Sequence, residues 1–258
     1  MNNIIFGIRP VFEAIEAGRP VEKVYFRKGA DGQLLVELRE VCKVGRINMQ
    51  EVPVEKLERL VRNVRSHRDA VNHQGVVAQV AAVAYADLNE VLAAIPAGER
   101  PLVVVFDGVT DVRNFGAIAR SAECAGAHVL VVPLKNAAPV NADAVKSSAG
   151  ALNVIPVCRA GSIRNTLKML QNEGFRIVAA TEKGSESLFD ADLTGSLAIV
   201  MGSEDEGISK EVLKLCDRQV AIPLSGTIGS LNVSAAAAVM LFEVVRQRLY
   251  RNSSPTRG

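Results

Sequence analysis

The sequence predicts an α/β protein in two parts, a small N-terminal α/β domain and a larger C-terminal domain built on a mostly parallel sheet. Three observations carry that expectation. Strand and helix signals alternate along most of the chain, the pattern that stacks helices on sheets. After residue 100 the strand signals become near-continuous apolar runs, beginning with Leu102-Val-Val-Val-Phe106, as expected of a sheet covered on both faces. Between the two parts stands Pro96-Ala-Gly-Glu-Arg-Pro101, a cluster that breaks helical and strand periodicity alike.

The elements follow in order. Apolar residues at helical spacing predict a helix from about Ile8 to Ala17, and Val21 to Phe26 reads as a strand. A helix from Leu34 to Lys43, a strand near Ile47, a short helix from Val54 to Val61 and a strand from Val76 to Val80 complete residues 1–80 as the first domain. Residues 81–100 read as a linker carrying a short helix from Leu88 to Ile95. Residues 101–250 form the second domain, with strands at Leu102 to Phe106, His128 to Val132, Val154 to Val157, Arg176 to Ala180, Leu197 to Met201 and Gln219 to Ile222. Helices are expected from Phe115 to Ala125, over 162–173 and 208–215, and from Leu231 to about Tyr250, the last with an apolar stripe through Leu231, Ala235, Ala238, Leu241, Phe242, Val245 and Leu249. Residues 251–258 read as a frayed tail.

Composition narrows the function classes. Hydrophobic residues make up 48% and charged residues 22%, which suits a folded chain and excludes a disordered or fibrous one. Thirty Lys and Arg against 28 Asp and Glu leave a net charge of only +2, so any nucleic-acid site must be a local patch. Cys42, Cys124, Cys158 and Cys216 lack CxxC spacing and read as reduced, buried thiols. His67, His73 and His128 stand too far apart for a zinc site, and no metal is expected. No window approaches the roughly 18 apolar residues of a membrane span, and the first residues lack a secretory pattern, so a cytoplasmic protein is expected.

The common nucleotide and hydrolase signatures are missing: neither GxxxxGK[ST], GxGxxG nor GxSxG occurs after a strand. Three polar, glycine-bearing turns take their place, each just after a strand end in the second domain. They are Asp107-Gly-Val-Thr-Asp-Val-Arg-Asn-Phe-Gly116, Met201-Gly-Ser-Glu-Asp-Glu-Gly-Ile-Ser209 and Ile222-Pro-Leu-Ser-Gly-Thr-Ile-Gly-Ser-Leu-Asn232. With their flanks, NFGAIARSA, MGSEDEGIS and IPLSGTIGSLNVSAAAA resemble the three ordered motifs of the SpoU family of SPOUT methyltransferases, over roughly residues 100–248. Gly7-Ile-Arg-Pro-Val-Phe-Glu-Ala14 and His73-Gln-Gly-Val-Val77 resemble the ribosomal-protein-like RNA-binding domain of the bacterial 23S rRNA guanosine-2'-O-methyltransferase branch.

That resemblance implies a C-terminal domain tied in a trefoil knot, a homodimer, S-adenosylmethionine as cofactor, and transfer of its methyl group to a ribose 2'-hydroxyl of RNA, a guanosine of 23S rRNA in this branch. It implies that Gly202, Ile222 and Leu231, with Thr181, line the cofactor pocket, and that Asn114, Arg120, Glu204, Ser230 and Asn232 hold the catalytic and RNA-facing roles. The same motifs serve tRNA 2'-O-methyltransferases, and a non-catalytic RNA-binding or ribosome-assembly protein with this fold is the alternative from another class. Local chemistry offers plainer readings of each residue. Arg120 would pair with Glu123 one turn on, Ser203-Glu-Asp-Glu206 reads as a capping box, Ser230 as a helix N-cap, and Asn114 as a turn residue. In its motif Arg120 acts either as a base or by binding the adjacent phosphate and stabilising the alkoxide, and a guanidinium that stays protonated favours the second. Lys56, Arg59, Arg62, Arg65 and Arg68 recur every third residue and, extended by Arg113 and Lys135, are candidates to contact RNA phosphates.

Overall fold

The computed structural model describes residues 4–62 and 72–251, which form two units, Met1–Ala84 with Pro139–Ala142, and Tyr85–Ala138 with Asp143–Gly258. Arg65, Arg68 and the expected tail from Asn252 lie outside the described residues.

The first unit contains β1 (Ile4–Phe6), α1 (Ile8–Glu16), β2 (Val21–Arg27), α2 (Gln33–Val44), β3 (Asn48–Val52), α3 (Val54–Arg62) and β4 (Val76–Val80). Its sheet runs β1-β4-β2-β3; β4 is antiparallel to both neighbours and β2 is parallel to β3. Alternation along β2 sorts the faces. Val24 and Phe26 enter a core with Val11 of α1 and Leu35, Leu38 and Cys42 of α2, whereas Tyr25 packs with Leu57 and Val61 of α3. The two N-terminal signatures turn out to hold one another: Gly7 N–H donates to Val76 O (3.1 Å) and Ile8 N–H to Gln74 Oε1 (3.1 Å). Val140 adds to this unit, donating its N–H to the buried Glu22 carboxylate (2.7 Å) and accepting from Ala82 N–H (2.6 Å).

The second unit begins inside the stretch that reads as a linker, with β5 (Tyr85–Ala86) and α4 (Leu88–Ala93). Leu88, Val91 and Leu92 pack on the core there, and β5 pairs with a later strand. Then come β6 (Leu102–Asp107), α5 (Val112–Cys124), β7 (Val129–Pro133), α6 (Ala142–Ser147), a 3-10 turn (Ala151–Asn153), β8 (Val157–Ala160), α7 (Ile163–Asn172), β9 (Arg176–Ala180), β10 (Glu186–Ser187), β11 (Leu197–Gly202), α8 (Lys210–Leu213), β12 (Arg218–Ala221) and α9 (Val233–Arg251). Their sheet has the order β10-β12-β9-β11-β6-β7-β8-β5, with every pairing parallel.

Both faces are covered, as the unbroken apolar strands require. Val103 and Val105 of β6 meet Ile163, Leu167 and Leu170 of α7, while Phe106 meets Phe115 of α5 edge-on at 5.1 Å. The strand expected at Val154 to Val157 begins only at Val157, because residues 151–153 turn as a 3-10 helix. The last helix buries Val233, Ala237, Met240, Leu241 and Val244. Phe242 and Leu249 of the expected stripe are instead 49% and 66% exposed, so α9 carries a second, outward apolar face. Cys124 is also exposed, since it ends α5 on the solvent side, whereas Cys42 and Cys158 are buried.

Candidate active site

Open parallel sheets bind ligands beyond the carboxyl ends of their strands, where the strand order reverses. Here β6 lies between β7 and β11; after β8 the chain crosses to β9 on the other side of β6, and β11 and β12 then pair on either side of β9. The three polar turns leave the carboxyl ends of β6, β11 and β12.

Each turn has a local anchor. Asp111 caps α5, its carboxylate accepting from Arg113 N–H (2.9 Å) and Asn114 N–H (2.8 Å). Gly116 has to lack a side chain because α6 crosses α5 there; a Cβ would stand 2.8 Å from Ser147 Cβ and 2.9 Å from Ala144 O. In the second turn Ser203 and Gly207 exchange backbone hydrogen bonds (3.0 and 3.1 Å), and Glu206 N–H reaches Ser203 Oγ (3.1 Å). The turn folds so tightly onto the strand end that a Cβ on Gly202 would run into the backbone of Gly207 and Ile208. Ser203-Glu-Asp-Glu206 therefore shapes a closed loop, and the helix that follows has Ser209 at its N-cap. Asp107 Oδ2 accepts from Ser209 N–H (2.8 Å) and clips the loop to the end of β6. In the third turn Asn232, two residues beyond the expected Ser230, caps α9: its Oδ1 accepts from Ser234 N–H (2.9 Å) and Ser234 Oγ–H (2.5 Å).

Asn232 also ties the turns together. Its Nδ2 donates to Glu204 Oε1 (2.8 Å) and to Asn114 Oδ1 (3.1 Å), and Asn114 Nδ2 donates to the same Glu204 oxygen (2.5 Å). The cap fixes which end of the Asn232 amide is oxygen, so its NH2 must face the carboxylate. One residue from each turn thus enters a closed triangle, with the charged acceptor receiving both amides.

Beside the triangle lies a cavity of about 530 Å³. Gly202, Ile222, Leu231 and Thr181 all line it, together with Glu204, Ser230 and Asn232. Met201, Leu224 and Val233 add apolar surface, and Gly207 and Gly229 add bare backbone. Arg120 is not in the lining; it is exposed on α5, and among the described residues it forms neither the pairing expected with Glu123 nor another ion pair. Arg113 and Lys135 are exposed in the same unit. In the first unit Arg59 and Arg62 are exposed on α3, and Arg62 pairs with Glu58 at 3.3 Å. Sequence reasoning left Asp107 and Asp111 without roles. Their one signal was an acid standing directly after an apolar strand or directly before a helix.

Two thiols and a histidine near the sheet sit in structural surroundings. Burial pushes the Cys216 and Cys158 thiols up to about 12, and His128 is engaged structurally, its Nδ1 accepting from Leu102 N–H (3.1 Å) and its Nε2 meeting Glu99 (3.0 Å).

Comparison with known proteins identifies the family. The SpoU rRNA methylase family model matches residues 101–242, and the model for RNA 2'-O ribose methyltransferase substrate binding matches residues 4–86. The 23S rRNA (guanosine-2'-O-)-methyltransferase RlmB of Vibrio parahaemolyticus is 34% identical over 250 residues, 96% of this chain and 98% of its own length. Its counterpart in Escherichia coli K12 is 34% identical over 249 residues, 96% of this chain and 100% of its own. The SpoU methyltransferase AviRb of Streptomyces viridochromogenes, solved in complex with AdoMet, superposes with a TM-score of 0.60 at 30% identity, covering 96% of this chain and 90% of its own. With matches that span both parts of the sequence, the chain belongs to the SpoU rRNA methylase family.

Proposed function

We propose that this chain transfers the methyl group of S-adenosylmethionine to a ribose 2'-hydroxyl of ribosomal RNA, and that a guanosine of 23S rRNA is its target. The observation that carries this reading is the Asn114–Glu204–Asn232 triangle at the lip of the cavity lined by Gly202, Ile222 and Leu231.

The cavity fits the cofactor. Its volume lies within the roughly 300–1,000 Å³ of small-molecule sites, and it sets apolar Met201, Ile222, Leu224 and Leu231 beside the hydroxyls of Thr181 and Ser230 and the backbone of Gly202 and Gly229. A flat base with polar edges suits such walls. S-adenosylmethionine bound there supplies a methyl group activated on a sulfonium centre.

The protein's own work is orientation and charge. Glu204 holds the amides of Asn114 and Asn232, so the three turns keep one geometry before substrate arrives. Arg120, exposed and without an ion-pair partner among the described residues, binds the phosphate next to the target ribose and stabilises the alkoxide as the 2'-hydroxyl loses its proton. Ser230, at the cavity wall, orients the ribose.

The first domain, residues 1–80, grips the RNA, and residues 101–250 carry cofactor and chemistry. Arg59, Arg62, Arg65, Arg68 and Arg113 supply phosphate contacts. A second copy of the chain covers the outward face of α9, where Val239, Phe242, Leu249 and Tyr250 are exposed. The C-terminal domain is tied in the trefoil knot that the family resemblance implies. Among the described residues no helix is long and apolar enough to cross a membrane. A cytoplasmic place of action goes with the ribosomal RNA substrate.

The test is incubation with radiolabelled S-adenosylmethionine and, separately, total rRNA and total tRNA, followed by nucleoside digestion. Label in 2'-O-methylguanosine from rRNA is expected. Label only in tRNA would replace the substrate, and no label despite binding of cofactor and RNA would replace the enzyme with a binding protein.

A further inference from the structure

Among the described residues, the α3-facing side of the four-stranded sheet is only partly covered. The helix packs Leu57 and Val61 on Tyr25, Val52 and Val77, and next to that cluster Gln79, Lys23 and Asn48 stand in register on β4, β2 and β3. Residues paired in register project from one face, and Lys23 shares it with Tyr25 two positions along. All three of these polar residues are half-buried. From the helix, Lys56 reaches the same place: its Nζ lies 5.5 Å from the Tyr25 ring centroid and that of Lys23 lies 5.2 Å from it.

Two ammonium groups therefore converge on one aromatic ring. Each ammonium is attracted to the ring, and the two repel one another. No ion pair among the described residues includes Lys23 or Lys56. Burial and the charge of Lys56 hold Lys23 below the ordinary lysine range. The Tyr25 hydroxyl donates to Gln79 Oε1 (3.4 Å), so the Gln79 NH2 remains a donor, in no hydrogen bond with the described residues. Two cations and an amide donor, gathered around an aromatic floor and in no ion pair among the described residues, call for an anion with several oxygens. The phosphodiester of a nucleic acid is that anion, with two unesterified oxygens to accept both ammonium groups and a ribose to lie against the ring.

We infer that Lys23 and Lys56, with the amide of Gln79, clamp a backbone phosphodiester of the RNA substrate. The inference rests on the reading of this chain as an RNA methyltransferase, and it extends the basic run on α3, to which Lys56 already belongs, onto the sheet face through Lys23 and Gln79. The clamp recognises backbone and leaves base identity to other contacts.

The experiment uses the full chain and transcribed 23S rRNA, with equilibrium binding measured across a salt series. Each phosphate contact contributes about 0.7 to 0.9 to the slope of log affinity against log salt. Replacing both residues, Lys23→Gln with Lys56→Gln, is expected to make the slope shallower by about 1 to 2 and to weaken binding about tenfold at moderate salt. The loss falls on KM for RNA more than on kcat. Lys23→Arg with Lys56→Arg restores the slope. The melting temperature of the Gln pair is expected to hold or rise, because a like-charge pair is gone; a purely structural role for the lysines predicts a fall. A wild-type slope and KM in the Gln pair would overturn the clamp. Should the wild-type chain bind RNA but transfer no methyl group while the Gln pair still loses slope, the clamp stands and the catalytic reading falls.

Discussion

The two sheets of this chain expose different things. In the second unit helices cover both faces of eight parallel strands, so polar side chains gather at the carboxyl ends, and there they bond to each other: Asn114, Glu204 and Asn232 form a closed set. In the first unit, among the described residues, a nine-residue helix covers only part of one sheet face, and the cations on the rest of it stand in no ion pair. The difference teaches what each task demands. A reacting atom needs geometry fixed in advance, whereas a polyanion needs charge at the right spacing and tolerates mobile side chains.

The comparison breaks most visibly at Arg120, the one expected catalytic group outside both the triangle and the cavity wall. Arg120→Ala is expected to lower kcat by about 10²–10³, the usual loss of one electrostatic stabiliser, while calorimetry finds cofactor affinity unchanged. Equal loss of cofactor binding would return Arg120 to a structural role. Next in size comes Asp107, which clips the Glu204 loop through Ser209 N–H at 2.8 Å. Asp107→Ala is expected to cost about tenfold in kcat by loosening a loop whose geometry has to hold. Asp107→Asn keeps an acceptor oxygen and recovers most of the rate. If both variants lose equally, charge at Asp107 matters more than the clip.

How much of this was legible follows the same divide. The buried strands and the helices with a clear apolar spacing stand within a few residues of expectation, since continuous apolar runs and helical spacing are local signals. The three turns were recognisable by their motifs, but their joining was not: Asn114 and Asn232 are 118 positions apart, and no periodicity reports a hydrogen bond over that distance. Ser230 looked like the cap of the last helix because a serine before an apolar run usually is, and Asn232 took the cap instead while donating to Glu204. Strands of two or three residues, Ile4–Phe6, Tyr85–Ala86 and Glu186–Ser187, are too short to show alternation. The lysine pair on Tyr25 needed the register of three strands and the seat of a helix, none of which is written in spacing.

Within the first unit the arginines of α3 grade the electrostatic half of the contrast. Arg62 already pairs with Glu58, whereas Arg59 has no ion pair among the described residues. Arg59→Ala is therefore expected to reduce RNA affinity a few-fold and the salt slope by about 1. Arg62→Ala, which frees Glu58 as well as removing a cation, is read against Arg59→Ala combined with Glu58→Gln. Equal effects on the slope from the two arginines would show that the Glu58 pair opens freely when RNA binds.

The smallest effect separates the units by stability. Cys42 is 0% exposed in the first core and its thiol is pushed up to about 11; Cys158 is 2% exposed in the second and pushed up to about 12. Both titrate above the ordinary 9.0, so the protonated thiols stabilise the fold fully below pH 9, and that contribution is lost as pH rises towards their folded values. Near pH 8 each reacts with iodoacetamide only when its surroundings open, whereas the exposed Cys124 reacts at once. The first unit has the smaller sheet and the smaller buried core, and small cores retain less stability against chain entropy. Mass spectrometry across a urea series is expected to find Cys42 alkylated at lower urea than Cys158. Simultaneous labelling would mean that the open-faced sheet and the covered one unfold as a single cooperative body, and that the contrast in their surfaces has no counterpart in their stability.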